Sequence, residues 1–149
     1  MDRFYKLINL SVMPLWLLML VAPGRRVTDR MARSSTLFGV AALNYAAALM
    51  MALRRAQRGE TPDLRSLEGL QQGLGTPGGA LASWAHMAAG DLFAGAWIYR
   101  QARRLDAPGW VRTPALVLAL LTGPLGVLYF LVWRSVAARK GEALPGYEM

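Results

Sequence analysis

Four stretches of the chain, residues 7–22, 36–53, 80–99 and 114–133, are apolar and hold one charged side chain between them, Asp91. Each is about long enough to cross roughly 30 Å of hydrocarbon as a helix. A helix satisfies its own backbone hydrogen bonds, which lipid cannot do, so such blocks are expected to be helical. The expected fold class is all-α, an integral membrane bundle of four transmembrane helices. Residues 1–149 form one domain in this reading, with 54–79 as the longest and most polar connection.

Charge placement agrees. The net charge of +8 would, on another chain, suggest a nucleic-acid partner. Here the arginines flank apolar blocks, as do Arg25, Arg26, Arg30 and Arg33, or Arg100, Arg103 and Arg104. Membrane proteins put cations there to meet anionic head groups, so the expected partner is a lipid bilayer and not nucleic acid. With four spans, one side carries eight cations and the other nine. The first block is more basic after than before, which tilts the reading toward both termini outside. There is no cysteine, which excludes disulfides and thiolate chemistry. A single histidine, His86, argues against a metal centre, and no phosphate loop or dinucleotide fingerprint is present.

The third block is the unusual one. An ionised carboxylate near mid-bilayer costs roughly 2.5–3.5 kcal/mol even on the gentler insertion scales, so Asp91 should have a partner, a proton or a task. At about 100° per residue, His86, Gly90, Phe93 and Trp97 form one stripe, and Trp84, Asp91, Gly95 and Ile98 another about 140° away. Ser83, Met87 and Ala94 lie between them. The opposite arc, Leu81, Ala85, Ala88, Leu92, Ala96 and Tyr99, carries no charge. The arc from His86 to Asp91 is therefore expected to face the protein interior, and the Leu81/Leu92 arc to face lipid.

In the first block, Asn9, Met13, Trp16 and Leu20 share a face, and Pro14 is expected to kink the helix. Arginines stand where a signal-peptide cleavage site would need small residues, so the first helix is read as retained. Asn44, mid-way along the second block, suits an interhelical hydrogen bond. Leu64, Leu67, Leu70 and Leu74 recur at near-helical spacing and predict a short amphipathic helix on the membrane surface. Thr113 and Pro114 read as cap and first turn of the fourth helix, with a kink at Gly123-Pro124. Ala115, Thr122, Gly126, Tyr129 and Trp133 then fall on one stripe. The tail beyond Lys140 is short.

Three of these motifs resemble one family. The run NLSVMPLWLLM from Asn9 to Met19, followed by Pro23, is similar to the opening helix of the plant neoxanthin synthase family, also called abscisic-acid-deficient-four-like. WAH at Trp84–His86 and DLFAGAWI at Asp91–Ile98 resemble its central signature, and GPLG at Gly123–Gly126 its last helix. The resemblance implies a small four-helix membrane protein linked, in plants, to converting violaxanthin to neoxanthin. The first helix begins almost at Met1, without the plant organelle-targeting extension, which points to a multi-pass protein of a bacterial inner membrane.

That reaction opens an epoxide to an allenic alcohol and consumes neither a redox cofactor nor water, so no cofactor is expected. It needs an acid at the epoxide oxygen and a base for a nearby vinylic proton. Asp91 and His86 are the candidate catalytic pair, in either order of roles. Trp16, Trp84, Trp97 and Tyr129 are candidates to line a slot for a hydrophobic isoprenoid or carotenoid. Asn9, Asn44 and Thr122 complete the candidate polar contacts. Two alternatives stay open: the polar groups lock the bundle by hydrogen-bonding one another, or the protein binds or assembles carotenoid or lipid without altering it. The alanine-rich faces of the second and third helices permit a homodimer without requiring one.

Overall fold

A computed structural model describes residues 1–56 and 65–139. Leu64 and the tail beyond Lys140 lie outside the described residues. Every regular element described is an α-helix: α1 Asp2–Val21, α2 Arg26–Met31, α3 Ser35–Ala56, α4 Leu67–Gly75, α5 Pro77–Arg104, α6 Gly109–Thr122 and α7 Pro124–Arg139. Two of them, α1 and α3, are long and apolar enough to cross a membrane. α5 is longer, at 28 residues, but Ser83, His86, Asp91 and its many alanines and glycines lower its hydropathy. The expected all-α class is found, with seven helices among the described residues, of which two pass as spans by length and composition against the four expected.

The largest departure is in the fourth block. A single kinked helix over 114–133 was expected; two helices are found, broken at Gly123. Gly123 takes φ 57, a backbone conformation that L side chains rarely adopt. Pro124 follows it, has no N–H for a continuing ladder, and opens the next helix. The chain reverses there. Gly126 of α7 packs so closely on α6 that a Cβ would collide with the Ala115 carbonyl and the Ala119 backbone. Small residues at such a crossing let two helix backbones touch, the favoured way to join helices where lipid removes the hydrophobic drive.

Pro114 also differs from its expected role. It sits inside α6, which begins at Gly109 with Pro108 as N-cap. A proline at that position cannot donate to the carbonyl four residues earlier, that of Trp110. The Tyr129 hydroxyl of α7 donates to that freed carbonyl at 3.5 Å, the long end of the range. The Thr-Pro start expected at 113–114 is found instead at Thr76-Pro77. There Thr76 Oγ1 accepts from Gly79 N at 3.0 Å and caps α5.

Packing sorts the chain into two compact units, Met1–Val12 with Thr36–Ala89, and Met13–Ser35 with Gly90–Met149. In the first, Ile8, Ala48, Leu81, Ala82 and Ala85 form a buried cluster bordered by Phe4, Tyr45, Ala52 and Ala88. Gly78 lets the start of α5 approach α3, since a Cβ there would lie 3.3 Å from Ala52 Cα. α4 is capped by Ser66, whose side chain accepts from Gly69 N, and leaves Leu67, Leu70 and Leu74 exposed. That is the expected amphipathic helix. In the second unit, Leu15, Trp16, Met19, Leu92, Tyr99, Leu116 and Phe130 are among the fully buried side chains.

Candidate functional site

The facing of α5 follows the expectation along the Asp91 stripe, where Gly95 and Ile98 are buried, and departs from it on the arc expected to face lipid and at His86. Leu81, Ala85, Leu92, Ala96 and Tyr99 are all buried, none above 6% exposed. His86, Met87, Gly90 and Phe93 are exposed, and Asp91 is half-buried. Titratable groups were expected to need the interior, and leucines to be free to face lipid. The fold instead packs the seam with the best shape: alanines at 85, 89 and 96 admit close neighbours, and the leucines fill between them. Trp84 and Asp91 are then met within their own units.

In the first unit those local partners are hydrogen bonds and rings. Trp84 Nε1 donates to Asn9 Oδ1 at 3.2 Å, so two residues expected to contact a ligand contact each other. Asn9 Nδ2 turns back to the Tyr5 carbonyl at 3.0 Å, and the Trp84 indole leans on the Tyr5 ring at 5.6 Å. Asn44 Nδ2 donates to Ser11 Oγ at 3.0 Å, the interhelical bond its position suggested. The His86 ring lies 5.1 Å from that of Tyr45, tilted by 56°. Tyr5, Ser11 and Tyr45 complete this set, and helical spacing alone did not single them out as partners.

The second unit holds Asp91, Trp16, Trp97, Thr122 and Tyr129. Asp91 lies against the α6–α7 turn, where a Cβ on Gly123 would collide with Asp91 Oδ1. The one carboxylate in an apolar block is therefore seated at a buried glycine turn next to the start of α7. Trp16, 2% exposed, is seated over Gly95, and a Cβ there would collide with the indole at Cη2. Glycine four residues after Asp91 is what admits the ring. Trp97 meets Phe130 edge-on at 5.8 Å and 87°, and Phe130 meets Trp133 at 5.6 Å. Thr122 Oγ1 donates to the Leu118 carbonyl of its own helix at 2.7 Å, and Tyr129 is engaged with Trp110 as described.

The nine expected site residues thus separate into two groups. Asn9, Asn44, Trp84 and His86 belong to the first unit, and Trp16, Asp91, Trp97, Thr122 and Tyr129 to the second. Phe130 and Gly123 were missed as site components, although the GPLG motif marked the turn. Phe130 carries no signal beyond its place in an apolar run.

No curated protein and no solved structure matches the chain. A family profile described as ABA DEFICIENT 4-like matches residues 3–130. The match covers all three of the motifs that carried the resemblance, the Asp91 segment and the glycine turn included. The chain belongs to the ABA DEFICIENT 4-like family.

Proposed function

We propose that this chain is a membrane-embedded carotenoid-modifying protein, a cofactor-free isomerase of neoxanthin-synthase type, with Asp91 and His86 as its proton-transfer groups. Its proposed setting is a bacterial inner membrane, crossed several times. The observation that carries the reading is the placement of Asp91, a lone carboxylate in an apolar block, half-buried against the Gly123 turn. In the reaction the epoxide C–O bond breaks as its oxygen gains a proton. A vinylic C–H gives its proton to a base, and the released electron pair completes the allene. Substrate and product are isomers, and two titratable side chains suffice.

The test is Asp91→Asn in a host that makes epoxycarotenoids. Conversion is expected to fall by about 10²-fold or more while the protein still accumulates. Unchanged conversion would sink the acid/base role. A second reading, a non-catalytic carotenoid- or lipid-binding protein, draws support from the exposed arc of α5. Met87 at 54% and Phe93 at 46% exposure suit contact with a lipophile or with a second copy of the chain. It predicts a bound lipophile that co-purifies chemically unaltered.

A further inference from the structure

We infer that the arginine-rich end of the second unit, formed by α2 with its flanks and the last turn of α5, binds the phosphate groups of anionic phospholipids. This goes beyond carotenoid chemistry and rests only on the membrane part of the function proposed above.

Arg25, Arg26, Arg30 and Arg33 fall within nine residues and are all exposed. The end of α5 adds exposed Arg103 and Arg104, with half-buried Arg100 one turn earlier. Two acids, Asp29 and Asp106, accompany these arginines in the sequence. Asp29 is already engaged: its Oδ1 accepts from the Tyr99 hydroxyl at 2.7 Å and lies 3.8 Å from Arg103 Nε. The Tyr99 hydroxyl in turn accepts from Gly24 N at 3.1 Å. Gly24, at φ 87, lies against the Arg103 guanidinium, and a Cβ there would come within 3.3 Å of Nη1. Arg100 Nη1 donates to the Ala32 carbonyl. These contacts clamp the α2 segment to the end of α5, hold the Arg100 and Arg103 guanidinium groups in place, and keep the exposed arginines of the α2 segment beside them.

Held together, like charges repel. Burial pulls the Arg100 guanidinium below its ordinary value, and the nearby Arg33 charge adds to the effect. An anion relieves that repulsion, and phosphate oxygens match the guanidinium fork. A lipid phosphate suits this surface better than a free one, because the membrane presents it at high effective concentration. Val27, 49% exposed in the middle of the arginine run, supplies an apolar side chain at the same level.

The test places the full chain in phosphatidylcholine nanodiscs containing a minor amount of spin-labelled phosphatidylglycerol or spin-labelled phosphatidylcholine. The immobilised fraction of each label is then compared. Phosphatidylglycerol is expected to be retained preferentially. Arg30→Gln with Arg33→Gln should weaken that preference by about fivefold per arginine. Arg3→Gln with Lys6→Gln, which removes the same charge elsewhere, should leave it unchanged. Arg30→Lys with Arg33→Lys, which keeps the charge and loses the guanidinium fork, should retain more of it than the glutamine pair, and a loss equal to that of the glutamine pair overturns the inference. Equal loss from both glutamine pairs, no preference in the unaltered chain, or release by inorganic phosphate at matching concentration overturns the inference. A chain that fails to enter the nanodiscs overturns the membrane reading and this inference with it. Incorporation without preference overturns this inference alone.

Discussion

Two prolines sit near the middle of apolar blocks, and the chain treats them differently. At Met13-Pro14, α1 continues as one helix from Asp2 to Val21. At Gly123-Pro124 the chain turns back and forms the α6–α7 hairpin. Proline lacks the backbone N–H in either place, which costs a helix hydrogen bond at Pro14 and none at Pro124, the first residue of α7. The difference lies in the residue before it: Met13 remains within the helix, while Gly123 adopts positive φ. In these two places, apolar length does not decide whether the helix continues past proline; the backbone angle of the residue before it does.

The sharpest way to break this contrast is Gly123→Val. A branched side chain meets both the strained φ and the Asp91 carboxylate, with an expected loss of about 3–5 kcal/mol. Thermal unfolding in detergent would read it, and a near-neutral result would remove the hairpin's physical basis. A labelling experiment sharpens the same point. The chain has no cysteine, so Pro108→Cys and Ser135→Cys each give a single reporter. The hairpin predicts that an impermeant reagent reaches both from one side; a straight fourth span predicts opposite sides. The hairpin reading also places Arg134 on the side of Arg100 to Arg112, turning a near tie in cations into an excess.

Smaller effects follow at the carbonyl that Pro114 leaves free. Tyr129→Phe should cost about 0.5–1.5 kcal/mol. In a Pro114→Ala background, the restored N–H pairs with Trp110 and the same change should cost less. Equal costs in both backgrounds would show that the hydroxyl contact at 3.5 Å contributes nothing. The smallest effect is expected at Pro14→Ala. Pro14 is exposed and its helix is already continuous, so melting should stay within about 1 kcal/mol of the parent or rise.

Much of the helical content was legible in the sequence, because apolar blocks bounded by arginines and the Leu67/Leu70/Leu74 spacing are local signals. The break at Gly123 was visible as a motif, but the choice between a kink and a reversal depends on a backbone angle that composition does not encode. The facing of α5 was misread in part, for a related reason. Polarity suggested that His86 and Asp91 both point inward; Asp91 is half-buried against Gly123 but His86 is exposed, and packing followed shape, with Ala85, Leu92 and Ala96 making the buried seam. The polar partners were partly legible: Asn44 found another helix, as expected, at Ser11. Asn9 and Trp84 met each other because α1 and α5 bring them together within the first unit, a pairing that no spacing within either helix reveals.

The functional account stands on proton transfer at Asp91 without a cofactor. Its most direct test is the purified chain in lipid vesicles loaded with an epoxycarotenoid, with nothing else added, followed by separation and mass measurement of the pigment. The account predicts a new pigment of unchanged mass that Asp91→Asn fails to form. Pigment recovered unaltered from the unsubstituted protein would contradict it.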